Sequence, residues 1–254
     1  MKWLAEAIPE NPNPVLPIWQ ELVTALRAVT FVVLLNDAGH DSVYLDIAGC
    51  RLSAWALNGH RFGIARMASD GRPDTLASLH VNAANAFASV LESSDDPYAG
   101  LVVGEQISAH AAGTTITTRS TGAARPPWEQ VVPADPKFFS VERASVLDAI
   151  GRAGMFAVKD DPAVFIDVSA DGLTVYDSGK DGGGEAQTTV VVDGDAKPVE
   201  IACSWRYLRD AIQACDSERV DIAMGGKLEP IVIRPHEVTD GQMYLVMPMR
   251  RSKT

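Results

Sequence analysis

Several reactive side chains occur in this chain, but none has the company that catalysis needs. Asp160 and Asp161 are paired acids of the kind general acid–base work uses, yet they stand at a turn before Pro162. His60 comes directly after Asn58-Gly59, and no carboxylate or cysteine is spaced to orient it, so it reads as a residue flanking a turn. Cys50, Cys203 and Cys215 are too few and too scattered for a disulfide framework or a zinc site, and are most simply reduced core thiols. Gly179 and Gly182-Gly183-Gly184, within the loop Asp177 to Gln187, have the composition of a phosphate cradle. They lack the Gly-Lys-Ser/Thr ending and open no helix, which makes a hairpin loop. There is no nucleophile elbow and no dinucleotide fingerprint. The expectation is a protein without catalysis, cofactor or metal.

Binding chemistry is more promising. Tyr244-Leu245-Val246-Met247-Pro248-Met249-Arg250 is a short apolar strand that Pro248 must end or push to a sheet edge, because proline has no N–H for a ladder. Two thioethers around a proline make a soft apolar surface able to accept several partners. The plainer alternative is a terminal core strand.

The elements that would position these residues emerge from pattern. Ile18, Leu22, Leu26 and Val29 predict a helix from Pro17; Asn82 opens a second, with Ala83, Phe87, Val90 and Leu91 on one face. Strands are expected at Val43-Ile47, Arg51-Leu57 and Arg61-Met67 around Asn58-Gly59, then at Gly100-Val103, Ile107-Ala111 and Thr114-Thr118. Thr121 to Pro136 is rich in Pro, Gly and Ala and reads as a connection between domains. Beyond it the plan repeats. Ser140 caps a helix carrying Val146, Leu147 and Ile150; Ala163-Val168 and Leu173-Tyr176 are strands around Ala170-Asp171-Gly172. Ser204 caps a helix with Trp205, Leu208, Ile212 and Cys215, and Val220-Met224, Ile231-Arg234 and Met243-Met247 close the chain as strands. Helix starts at 17 and 140 lie 123 apart and those at 82 and 204 lie 122 apart. One near-constant offset implies a duplicated α+β unit. The expected division is an arm at 1–14, one domain at 15–134 and a second at 135–254.

Length and composition agree: 254 residues with 46% apolar can bury two cores. The longest apolar run, Phe31 to Leu35, is far below the roughly 20 residues a bilayer needs, and no signal-peptide pattern opens the chain, so a cytoplasmic protein is expected. A net charge of -11, from 22 basic and 33 acidic residues, argues against gripping nucleic acid with a basic face. Holding it by enclosure would escape that argument.

Ala56-Leu57-Asn58-Gly59-His60-Arg61-Phe62, Pro126-Pro127-Trp128-Glu129-Gln130-Val131-Val132-Pro133 and the closing Val246-Met247-Pro248-Met249-Arg250 occur in the order, and at about the spacing, of one family. The chain from Leu16 onward resembles the second and third domains of the beta subunit of bacterial DNA polymerase III, the sliding clamp. Leu57, Asn58 and Phe62 depart from the threonine, aspartate and leucine usual there. The resemblance implies two clamp-type α+β domains, each with two helices on antiparallel sheets, in a ring of six such domains. Two domains per chain then imply a homotrimer closed by head-to-tail contacts. It also implies enclosure of duplex DNA on the nucleoid, and polymerase and clamp loader as partners through short peptides.

Carried across by motif, the peptide groove comprises Leu57, Gly59, His60, Arg61, Phe62, Pro126, Val131, Leu245, Met247, Pro248, Met249 and Arg250. The helices would present Arg27, Arg143, Arg152, Arg206 and Arg209 to DNA, against Glu21, Glu92, Glu142, Asp148, Asp210 and Asp216; a solvated helix face is the alternative for each arginine. Met155 and Phe156 would form the ring seam with a neighbour's strand near Thr115 and Thr117, with core packing as the alternative for the first two. The competing function is a clamp-like regulator that binds clamp partners without encircling DNA.

Overall fold

Helical spacing of apolar residues produces α1 (Ile18–Thr30), whose Leu22, Leu26 and Val29 are buried. The computed structural model describes residues 18–33, 41–68, 75–93, 100–103, 106–111, 113–157, 163–177, 186–194 and 197–250. The arm at 1–14, Asp160, Asp161, Gly179 and Gly182-Gly183-Gly184 lie outside them. After α1 come β1 (Ser42–Ala48), β2 (Arg51–Leu57), β3 (Arg61–Ala68), β4 (Thr75–His80), α2 (Val81–Glu92), β5 (Gly100–Val103), β6 (Gln106–Ala111) and β7 (Thr114–Arg119). The connector is next, with a single 3-10 turn at Trp128–Val131. Then come β8 (Phe138–Glu142), α3 (Arg143–Gly154), β9 (Ala163–Ser169), β10 (Gly172–Tyr176), β11 (Gln187–Val190), β12 (Val192–Asp193) and β13 (Val199–Ser204). The chain closes with α4 (Trp205–Gln213), β14 (Arg219–Ala223), β15 (Ile231–Pro235) and β16 (Met243–Val246).

The duplication is visible in the topology. The order β4-β1-β2-β3 in the first half is matched by β13-β9-β10-β11 in the second. Corresponding starts differ by 121 for β1 and β9 and by 124 for α2 and α4. α1 and α2 pack on one core around Leu26, Phe87 and Leu45, and α3 and α4 on another around Ile150, Leu208 and Ile222. The fold is α+β, with four helices on antiparallel sheets among the described residues.

β3 and β16 are antiparallel neighbours, with Leu245 opposite Phe62 and Val246 opposite Arg61. That pairing fuses strands of both halves into one nine-stranded sheet, β12-β8-β14-β15-β16-β3-β2-β1-β4. Its outer face carries a third apolar cluster of Tyr44, Trp55, Phe62, Ile64, Ala223, Val232 and Leu245, over which Trp128 and Val132 of the connector lie.

Two local expectations are corrected, and the Asn58-Gly59 turn takes a particular form. Ser140 is not a cap but the middle of β8, paired with Asp221, and Glu142 stands at the N-cap of α3. α2 starts at Val81, and His80 supplies its cap by accepting from Asn82 N–H at 3.2 Å. At Asn58-Gly59 only Gly59 takes positive φ (+78°). Asn58 instead folds its amide oxygen onto the N–H groups of His60 and Arg61, at 3.1 and 2.9 Å.

Candidate peptide groove, helix face and free strand edges

The Asn58-to-Arg61 turn is built into the junction rather than projecting from it. Asn58 is buried and donates to Val32 O at 2.8 Å. Arg61, expected at a groove rim, is only 7% exposed. Its Nε donates to Val32 O at 3.1 Å, another nitrogen donates to Phe31 O, and a third pairs with Asp210 of α4 at 2.9 Å. The guanidinium lies 4.5 Å from the Tyr207 ring centroid and 5.4 Å from that of Phe31. Arg61 thus caps the carbonyls at the end of α1 while binding α4, a role that needs a planar fork of donors.

Around it the predicted groove residues divide. His60 is exposed and stacks at 6.3 Å on Tyr207, an aromatic that motif reasoning missed although it stands three residues into α4. Met247 N–H donates to His60 O at 2.8 Å, Pro248 bridges Cys203, and Met249 N–H donates to Ala202 O at 2.7 Å. The terminal segment therefore leaves the nine-stranded sheet and runs along β13. His60, Tyr207, Met247, Pro248 and the exposed Met249 are brought together here; Arg250, exposed, comes next.

Leu57, Phe62 and Leu245 belong to the third apolar cluster, and Phe62 and Leu245 are buried. Phe62 lies under Trp128 with ring centroids 4.9 Å apart and planes 19° apart. Trp55 stacks on Tyr44 at 4.0 Å and lies 6.2 Å from Trp128. Arg66 and Arg125 cover Trp128 at 5.8 and 5.9 Å. Burial holds Arg66 below the usual guanidinium range. Arg125 bonds Glu129, which pushes the arginine up and holds the Glu129 carboxyl below its ordinary range. Pro126 is half-buried and Val131 is 45% exposed.

On the helices, four of the five arginines are already engaged with a carboxylate or a carbonyl. Arg27 pairs with Glu92 at 2.8 Å, Arg143 caps α4 through Ile212 O and Gln213 O at 3.1 and 2.7 Å, and Arg152 pairs with Asp148 one turn back. Arg206 and Arg209 lie over Trp205 at 5.5 and 4.9 Å. Trp205 sits on Gly154, where a Cβ would come within 2.6 Å of the indole. Arg209 also reaches Asp210 at 3.2 Å. Met155 (73% exposed) and Phe156 (37% exposed) come after α3, and Thr115 and Thr117 are exposed on β7. Among the described residues no group of three or more His, Cys, Asp or Glu could hold a metal ion, and no helix is long and apolar enough to cross a membrane.

The geometry is of two repeated α+β units with one sheet fused across their junction. Residues 129–250 match the family model for the DNA polymerase III beta subunit, C-terminal domain. The structure is similar to the DNA polymerase sliding clamp of Pseudomonas aeruginosa solved with a ligand (TM-score 0.84, 20% identity, covering 92% of this chain and 64% of that one). It is similar also to the Pseudomonas aeruginosa clamp bound to griselimycin (0.85, 20%, 96% and 68%) and to the DNA polymerase III beta subunit of Thermotoga maritima (0.82, 19%, 92% and 64%). The chain spans 64% of the first of these clamps. It resembles the bacterial beta subunit over part of that protein's length, and at this identity what the solved structures share with it is the fold.

Proposed function

We propose that the protein is a DNA sliding clamp, a non-catalytic processivity factor that encircles duplex DNA and tethers replication proteins in the cytoplasm. The β3–β16 junction carries this reading. β11 corresponds to β3 and β7 to β16, and each ends its own sheet among the described residues. Phe31, after α1, packs on Tyr244 of β16 with centroids 5.6 Å apart. Phe156 stands at the matching place after α3 and has no such cover. A second copy offering β7 to β11 would repeat the internal junction, aligning Gln187 with Thr115 by the pairing of Ile64 with Met243. Such a contact is heterologous and closes into a ring, and three copies supply six units.

Arg206 and Arg209 are the groups best placed to meet phosphate. Few such contacts suit a ring that must slide, since each added contact steepens electrostatic binding. Partners dock as extended peptides at His60, Tyr207, Met247, Pro248 and Met249, a soft apolar surface with a charged rim at Arg250. Griselimycin, bound by the Pseudomonas clamp, is a first probe of that surface.

Light scattering tests the assembly: three 27.2 kDa chains give about 82 kDa. Replacing Met155 and Phe156 with glutamate should return single chains. The assembled ring should stay on circular DNA and run off linear DNA. A monomer at all concentrations, or equal retention on both forms, overturns encirclement and leaves a regulator that only binds partners.

A further inference from the structure

The connector is tied at its start, where Thr121 N–H donates to Ser78 O at 2.9 Å and the Thr121 hydroxyl to Ser78 Oγ at 2.7 Å, and at its end, where Phe138 enters β8. Between these ties its described polar attachments to the sheet are few: the Tyr44 hydroxyl donates to Ala124 O at 3.2 Å, and Arg125 stands 3.5 Å from Asp46. The remaining bonds are internal, such as Trp128 N–H to Pro126 O and Gln130 N–H to Pro127 O. The connector's apolar attachments are Ala123, Trp128 and Val132. Trp128 is the bulkiest of these, and it lies on Phe62, next to Leu245, two residues that motif places in the groove.

The adhesion is imperfect. The indole N–H groups of Trp55 and Trp128 are both buried without an acceptor. A buried donor left without an acceptor is a penalty that a carbonyl-bearing guest would relieve. The segment is also suited to move as one body. Gly122, at φ +67°, gives a pivot beside the Thr121 tie, and Pro126, Pro127, Pro133 and Pro136 stiffen the chain beyond that pivot.

We propose that Trp128 is a removable occupant of the peptide groove. The connector holds the apolar end of the groove shut, and an extended peptide opens it by putting a bulky apolar side chain in place of the indole. A backbone carbonyl of the peptide accepts from the Trp55 N–H, while the displaced Trp128 N–H meets water. This rests on the groove reading above and adds its regulation: the groove selects partners able to fill an indole-sized space.

The test measures griselimycin binding by calorimetry to the full chain and to Trp128→Ala and Trp128→Phe. If Trp128 is an occupant, Trp128→Ala binds at least about tenfold more tightly, because the competent state no longer competes with the closed one, and Trp128→Phe falls between. In the unmutated chain labelled with 5-fluorotryptophan, the Trp128 fluorine signal, assigned by its loss in Trp128→Phe, becomes accessible to a soluble quencher when ligand is added. Equal or weaker binding by Trp128→Ala, with the fluorine signal still protected in the unmutated chain, overturns the proposal and makes Trp128 a fixed wall. Failure of all three proteins to bind instead removes the groove reading, and the occupant with it. The fluorine measurement decides the matter if Trp128→Ala does not fold.

Discussion

Replacing Arg61 with methionine removes the charged fork that ties α1, β3 and α4 while keeping an unbranched apolar stem. The loss can be built from its contacts. Val32 O keeps the bond from Asn58, so it is not orphaned. Phe31 O loses its donor, which costs about 1–2 kcal/mol in a partly buried site. Asp210 is partly solvated and retains Arg209 at 3.2 Å, so the broken ion pair costs about 1 kcal/mol rather than the several expected of a fully buried charge. The cation over Tyr207 and Phe31 contributes about 1 kcal/mol more. The expected destabilisation is about 3 kcal/mol, read as a lower urea midpoint at unchanged slope. Arg61→Lys should recover little of it, since an ammonium cannot serve two carbonyls and a carboxylate in one plane. A loss below about 1 kcal/mol, or full recovery by lysine, would refute the junction role and return Arg61 to the groove rim as a partner-facing charge.

Gly154→Ala places a Cβ 2.6 Å from the Trp205 indole; overpacking of about 1–3 kcal/mol outweighs a helix-propensity gain of about 1 kcal/mol, so melting temperature should fall and Trp205 emission should shift. Cys203 and Cys215 are pushed up to about 12, in each case chiefly by burial. Each holds its proton more tightly folded than unfolded, so its stability contribution is complete below about pH 9 and is lost as pH rises toward 12, at up to about 1.4 kcal/mol per unit per thiol. Urea midpoints between pH 8 and pH 11 should show that slope, shallower in Cys203→Ala. In the native protein a thiol reagent should modify Cys50, which is exposed, and reach all three only in denaturant.

Much of this architecture is legible in the sequence because it is local. Helical spacing in Ile18 to Val29, the Asn58-Gly59 turn and the near-constant offset between helix starts are properties of short stretches, and the structure keeps them. β4, β11, β12 and β13 are not legible in this way. β12 has only two residues, and β13 turns inward at four consecutive positions, which erases the alternation that marks a strand. Ser140 has a cap's chemistry but β14 on one side and β12 on the other, and ladder pairing overrides capping. Motif could place Arg61, Phe62 and Leu245 near one another, because it marks which residues share a turn or a strand. Only the tertiary structure decided that the first is buried between helices and that the other two lie beneath Trp128. Burial depends on what a distant segment covers: β16 reaching β3 across about 180 residues, and a connector laid on the sheet that this pairing creates. The sequence by itself determined the repeated unit, through period and spacing. The joining of its two copies was decided by pairing between strands far apart in the sequence.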